Sequence, residues 1–202
     1  MTNPFLEWSV ATVTLPGEVE SGDLHLVQPF EGGTLVAVAD GLGHGTAAAS
    51  AARAAVDILA KHPREPVLSL AKRCHQGLRG TRGVVLSMAT FNAREETMTW
   101  LGVGNVEGTL IRSDAHGKPE CESLLLRRGV LGARLPILEA VILPVTRGDT
   151  LILATDGIRS GFERGVNLRK PPQEIADQIV ARDNLGTDDA LVLVARFKGA
   201  KQ

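Results

Sequence analysis

Apolar positions along this chain fall into short runs punctuated by Gly, Pro and Asp. Ser9 to Leu15 alternates with the period of two of a half-buried strand and is stopped by Pro16-Gly17. Leu24 to Val27 predicts a second strand. Thr34 to Ala39 (TLVAVA) is apolar almost throughout, the pattern of a strand covered on both faces, and it runs into a glycine-rich turn, DGLGHG. The alanine-rich segment Thr46 to Ala60 predicts a helix. His62-Pro63 closes it, because the residue before proline is driven away from helical dihedrals. Pro66 to Leu78 predicts a second helix, with Leu68, Ala71 and Leu78 on one side and Gly80 beyond its end.

The middle of the chain is strand-rich. Val84 to Phe91, Met98 to Val103 and Gly108 to Arg112 are separated by turn residues and read as a β-meander. Leu124 to Leu126 and Ala140 to Val145 are further strand candidates. Thr150 to Thr155 (TLILAT) follows a Gly148-Asp149 turn and again has the pattern of a strand covered on both faces. Pro171-Pro172 opens a helix through about Arg182, and Ala190 to Phe197 gives a last strand. This order lacks the regular βαβ alternation of a doubly wound sheet. It predicts an α+β fold, two packed sheets flanked by helices. With no repeat, low-complexity stretch or linker, a single domain over residues 1–202 is expected.

Composition narrows the function classes. A chain of 202 residues can bury a substantial core without disulfides or metal staples. Aromatic residues are 3% with no tyrosine, so the core must be built from Val, Leu, Ile and Ala, and a base-stacking surface is disfavoured. Formal net charge is -1 and no Lys/Arg-rich block occurs, which argues against a nucleic-acid partner. The densest basic patch, Arg127-Arg128 with Arg134 nearby, reads first as a solvated loop edge and second as a partner-binding patch. The two cysteines, Cys74 and Cys121, form no C-x-x-C pair and read as structural. The N-terminal sequence has no signal-peptide pattern, and no run reaches the roughly 18 apolar residues of a membrane span. A cytoplasmic protein without membrane contact is expected.

Four aspartates stand at strand ends or in short turns beside strands: Asp23 in SGD, Asp40 in VAVADG, Asp156 in LILATDG and Asp188 in GTDDALVLV. Mg²⁺ and Mn²⁺ are hard cations that prefer oxygen ligands, and clustered carboxylates repel unless a cation neutralises them. A glycine after a liganding aspartate, such as Gly41, lets its carbonyl approach closely. A pair of such ions lowers the pKa of water towards about 7. The plainer reading makes each aspartate a helix cap or turn former. DGLGHG lacks the G-K-[ST] of a phosphate loop. His44 suits proton transfer near neutrality, or fixes the turn by hydrogen bonding. There is no G-x-S-x-G, so a covalent nucleophile is not supported.

In their order, SGD, VAVADGLGHGTAAASAA, LILATDGI and DDALVLVAR resemble the SpoIIE-type bacterial branch of the metal-dependent PPM protein phosphatases. The likeness runs from about Ser21 to Arg196, and Gly102-Val103-Gly104-Asn105 is similar to that family's central strand-turn. The resemblance implies a four-layer α-β-β-α sandwich of two mainly antiparallel sheets, with two Mn²⁺ or Mg²⁺ in a cleft at one end. It implies that Asp40 binds both metals, the Gly41 carbonyl one of them, and Asp156 and Asp188 complete the site. Asp23 would bind a metal or a metal-held water. Asp40 and His44 would be the catalytic residues of a phosphoserine or phosphothreonine hydrolase. As a short chain with no sensor domain, it is similar to the stand-alone phosphatases of the bacterial stressosome, which implies phosphorylated STAS-domain proteins as partners. An anti-anti-sigma factor as target, or a non-catalytic binding module, are the other readings. Two departures stand out: Leu42 occupies the place of the eukaryotic members' histidine, and no arginine precedes Asp40. The charged segment Arg159 to Arg169 reads as a solvated loop, with the further expectation that it borders the cleft.

Overall fold

Strands covered on both faces organise this molecule, described by a computed structural model over residues 5–113 and 120–199. In chain order the elements are β1 (Leu6–Val13), β2 (Asp23–Phe30), β3 (Gly33–Gly41), α1 (Thr46–Lys61), α2 (Val67–Gly77), β4 (Val84–Asn92), β5 (Thr97–Val103), β6 (Glu107–Ile111), β7 (Cys121–Ser123), β8 (Leu126–Arg127), β9 (Val141–Pro144), β10 (Thr150–Ala154), α3 (Pro172–Asp183) and β11 (Ala190–Phe197). One sheet has the order β1-β11-β10-β6-β7. The other runs β2-β3-β4-β5-β8, with β9 also pairing to β5. Every pairing is antiparallel except β5 with β8.

The side-chain period of two explains the continuous apolar runs. In β3, Val36 and Val38 enter the core between the sheets, while Leu35, Ala37 and Ala39 pack under α1 and α2. In β11, Leu191, Leu193 and Ala195 face the inter-sheet core, and Ala190, Val192 and Val194 face α3. Both faces of each central strand are therefore apolar, and the layers stack α-β-β-α as the resemblance implied. Each large aliphatic side chain so buried contributes roughly 1.5–3 kcal/mol. Helix α1 packs through alanines, with Ala48, Ala51, Ala52 and Ala55 buried, so its backbone lies close on β3. A Cβ on Gly41 would stand 2.1 Å from the Ala48 carbonyl oxygen. Among the described residues no helix is long and apolar enough to cross a membrane.

Two sequence expectations are corrected. The middle strands do not form one meander: β4 and β5 stay in the second sheet, while β6 crosses to the first and pairs with β10. The crossing is made at Gly104, whose φ of 102° is open to glycine and strained for other residues. Leu124 to Leu126 is not one strand either. β7 ends at Ser123 in the first sheet and β8 begins at Leu126 in the second, so the chain changes sheets there a second time. The segment after β8 is pinned to the body. Val84 and Leu131 form a bridge, Val130 pairs with Arg134, and the Gly132 N–H donates to His75 Nδ1 at 3.1 Å. Cys74 is buried on α2, and Cys121 is exposed on β7.

Candidate active site

Antiparallel pairing brings the end of one strand beside the start of its neighbour, and each sheet uses this once at the same edge of the sandwich. In the second sheet, Asp40 near the end of β3 lies directly opposite Asp23, the first residue of β2. In the first sheet, Asp156 follows β10 and Asp188 precedes β11, its neighbour. Asp40, Asp156 and Asp188 line a cleft of about 470 Å³ together with Leu42, Gly43 and Asn105. Asp23 lies beneath it, 4% exposed.

Like charges facing each other across an antiparallel pair repel, and this pair is also buried. Burial is the larger cause that pushes the Asp40 carboxyl up to about 8, followed by the charges of Asp23, Asp156, Asp188 and Asp189. The Asp23 carboxyl is pushed up to about 7, again chiefly by burial, with a hydrogen bond from Thr155 pulling the other way. Asp156 is raised by partial burial and then by Asp188, against a hydrogen bond from Asn105. Among the described residues none of these carboxylates has a Lys, Arg or His partner, whereas Arg112, Arg182 and Arg196 are each committed to an acid elsewhere.

Neighbouring residues hold the acids in place. The Thr155 hydroxyl donates to Asp23 Oδ2 at 2.7 Å and accepts the Leu191 N–H at 2.9 Å. Asn105 Nδ2 donates to Asp156 Oδ2 at 2.6 Å. Asp188 Oδ1 accepts the backbone N–H of Asp189 at 2.8 Å. Glycine permits the close approaches: a Cβ on Gly157 would stand 2.0 Å from the Asp189 carbonyl oxygen, and one on Gly104 2.2 Å from Val85.

The donor set fits a hard divalent cation. All its side-chain donors are carboxylate oxygens, they are held together against their own repulsion, and among the described residues no Lys, Arg or His forms an ion pair with them. Among the described residues no three of them close around an ion unaided.

The doublet Asp188-Asp189 divides its labour. Asp188 faces the cleft. Asp189, 3% exposed, accepts the Leu15 N–H on Oδ1 at 2.8 Å and the Gly22 N–H on Oδ2 at 2.7 Å, tying the β1–β2 connection to β11. Thr155, Asn105 and Asp189 are absent from the sequence reading of the site; Thr155 and Asp189 adjoin Asp156 and Asp188 in sequence, and Asn105 falls in the Gly102-Val103-Gly104-Asn105 segment. His44 stands apart from the four acids. Its side chain is exposed, its Nδ1 lies 2.5 Å from Glu18 Oε1, and it is not among the residues lining the cleft. Arg159 and Arg164 do not line it either, whereas Arg128 does; Arg164 borders a separate hollow with Glu107 and Ser160.

Three comparisons bear on this arrangement. The family model described as Stage II sporulation protein E (SpoIIE) matches residues 31–198. The phosphoserine phosphatase RsbX of Bacillus subtilis (strain 168) is 25% identical over 202 residues, covering 96% of each chain. A chain from a structure of the bacterial stressosome, described as a modular system adapted to control secondary messenger signalling, superposes with a TM-score of 0.85 at 30% identity, covering 95% of this chain and 99% of that one. RsbX in complex with magnesium has the same fold, with a TM-score of 0.85 at 22% identity over 98% of each chain.

Proposed function

The chain belongs to the SpoIIE family, and on that footing we propose that it is a metal-dependent phosphatase of phosphoserine and phosphothreonine in partner proteins. The observation that carries this reading is the set of carboxylates Asp23, Asp40, Asp156 and Asp188, gathered at one edge of the sandwich with no Lys, Arg or His in ion-pair contact with any of them among the described residues. In this reading Asp40, the Gly41 carbonyl, Asp156 and Asp188 hold two Mg²⁺ or Mn²⁺ ions, and Asp23 a third side of the same site. Bound there, the ions supply Lewis acidity that lowers the pKa of water and offsets charge on phosphoryl oxygens.

The chain's own residues do the positioning. Thr155 holds the Asp23 carboxylate through Oδ2 and leaves Oδ1 for the site. Asn105 likewise fixes one oxygen of Asp156. The narrow contact of Gly41 with Ala48 keeps the end of β3 seated against α1, so the carbonyl beside Asp40 is held by packing. The cleft opens to solvent at Leu42 and Asp156, which suits a phosphorylated side chain presented by a folded partner. His44, paired to Glu18 and outside the lining, is given the task of fixing the turn between β3 and α1.

RsbX is named a phosphoserine phosphatase, and one similar structure comes from the stressosome. We therefore assign phosphorylated STAS-domain stressosome proteins as the partner class. The test is hydrolysis of an aryl phosphate with added Mn²⁺, with and without EDTA, beside Asp40→Asn. Manganese-dependent turnover lost in the variant is expected. A protein that neither binds Mn²⁺ nor turns over would instead be a binding module. Release of phosphate from a phosphorylated STAS protein, set against a phosphorylated anti-anti-sigma factor, then tests the partner.

A further inference from the structure

We propose that Arg128 binds the phosphoryl group of the substrate, an inference that rests on the phosphatase reading above. Arg128 is the one basic side chain among the described residues lining the cleft, where it stands with Asp40, Asp156, Asp188 and Asn105. It is exposed, and no hydrogen bond or ion pair engages it among the described residues. Its neighbour Arg127 is spent on structure. Arg127 forms an ion pair with Glu139, and its carbonyl accepts the Gly104 N–H at 2.8 Å. Successive residues of a strand project to opposite sides. With Arg127 turned to Glu139, Arg128 is presented to the cleft at the end of β8.

The segment that carries Arg128 is held firmly. β8 is zipped to β5 at Gly102 and Val103, and the bridges of Val84 with Leu131 and Val130 with Arg134 follow within a few residues. The His75 acceptor for the Gly132 N–H fixes the far side of the turn. Gly129 has no room for a side chain, since a Cβ would meet Pro136 at 2.6 Å. The guanidinium is therefore delivered from a rigid base, and little backbone ordering remains to be done on binding.

Charge balance gives it a task. Four carboxylates, Asp23, Asp40, Asp156 and Asp188, would cancel the positive charge of two divalent ions and leave none over for a phosphomonoester dianion. A guanidinium supplies the missing charge and can hold two phosphoryl oxygens at once. A solvated loop edge explains the exposure of Arg128 but not its place in the lining beside Asp156.

The test uses the full chain loaded with Mn²⁺, comparing wild type, Arg128→Ala, Arg128→Lys, Arg82→Ala and Arg94→Ala. Arg82 packs against Gly43 at the same cleft, and Arg94 is an exposed turn residue far from it in sequence. Two quantities are read: KM and kcat for a phosphoserine peptide, and binding of inorganic phosphate by calorimetry. Arg128→Ala should raise KM and weaken phosphate binding by about tenfold or more, with a smaller change in kcat and unchanged Mn²⁺ affinity and Tm. Arg128→Lys should recover part of the loss, and Arg94→Ala none is needed for, since it should match wild type. Unchanged phosphate binding in Arg128→Ala overturns the inference, as does a loss that falls on Arg82→Ala instead. If wild type binds phosphate through Arg128 yet never turns over, the phosphatase reading fails, and the assignment of Arg128 to a substrate is overturned with it.

Discussion

Asp40→Asn should stabilise the metal-free protein while removing its response to metal. The substitution keeps shape and removes one negative charge from a partly buried position opposite Asp23. The Asp40 carboxyl titrates near 3.8 when unfolded and is pushed up to about 8 in the fold. A raised folded-state pKa fixes the sign: the stability this group lends is present below about pH 4 and is lost as pH rises through about 8. Near pH 7.5 the shift has an upper bound of about 5 kcal/mol. Partial exposure, water entry and relaxation of the Asp23 side chain reduce this to roughly 1–3 kcal/mol. For a chain of this size that is a Tm increase of roughly 3–9 °C in EDTA. With Mn²⁺ at about 1,000 times its Kd, wild type should gain about 4.1 kcal/mol and the variant little, so the order of stabilities inverts. Thermal unfolding of both proteins near pH 5 and pH 8, with EDTA and with Mn²⁺, measures all of this. If Asp40→Asn were less stable than wild type in EDTA near pH 8, the argument from unneutralised charge would be refuted.

Metal affinity should rise with pH between about 6 and 8.5, because the ion must displace protons held by Asp40 and Asp23, and proton release on Mn²⁺ binding measured by calorimetry in two buffers checks it. Gly41→Ala forces a Cβ to 2.1 Å from a backbone oxygen of α1, which cannot rotate away, so a loss of about 2–4 kcal/mol in urea unfolding is expected. Adjacent acids should separate: Asp189→Ala strands the Leu15 and Gly22 N–H groups and costs about 2–4 kcal/mol, whereas Asp188→Ala leaves the urea midpoint near wild type and abolishes metal-dependent turnover.

The layers were legible because burial on two sides leaves a mark in one dimension. TLVAVA and ALVLVARF are apolar at odd and even positions alike, since helices cover one face and the opposite sheet the other. Which sheet a strand joins leaves no such mark. β5 and β6 have similar patterns, yet β6 pairs with β10, and the only local sign of the crossing is the turn at Gly104. At the site, Asp-Gly after an apolar run pointed to Asp40 and Asp156 because a strand end and a close approach were both encoded. The doublet Asp188-Asp189 was ambiguous, since the pleat decides which carboxylate faces the cleft and which one accepts the Leu15 and Gly22 N–H groups. For His44 the sequence left two roles open, because proximity to Asp40 in sequence says nothing of direction; its ring turns to Glu18. Arg128 stood out in the sequence only as part of the densest basic patch, and nothing in one dimension says that Arg128 lines the cleft while Arg127 pairs with Glu139.

A second buried acid shows that the fold can neutralise a carboxylate when it needs one for structure alone. Asp149 is 1% exposed, and burial alone would push its carboxyl up. Instead it accepts the N–H groups of Ser113 and Thr146, at 2.9 and 3.0 Å, and an Arg112 guanidinium at 3.0 Å. Together these outweigh burial and hold it below the usual carboxylate range. Asp189 likewise accepts two backbone N–H groups, from Leu15 and Gly22. Asp40 is only partly buried, yet no hydrogen bond to its side chain occurs among the described residues, and its nearest charges are other aspartates. Burial pushes both carboxyls up, and what holds Asp149 low while Asp40 stays high is the supply of donors. A donor-poor carboxylate facing another is a standing cost to the metal-free fold, and a cation is the one partner that removes it without occupying the cleft with protein.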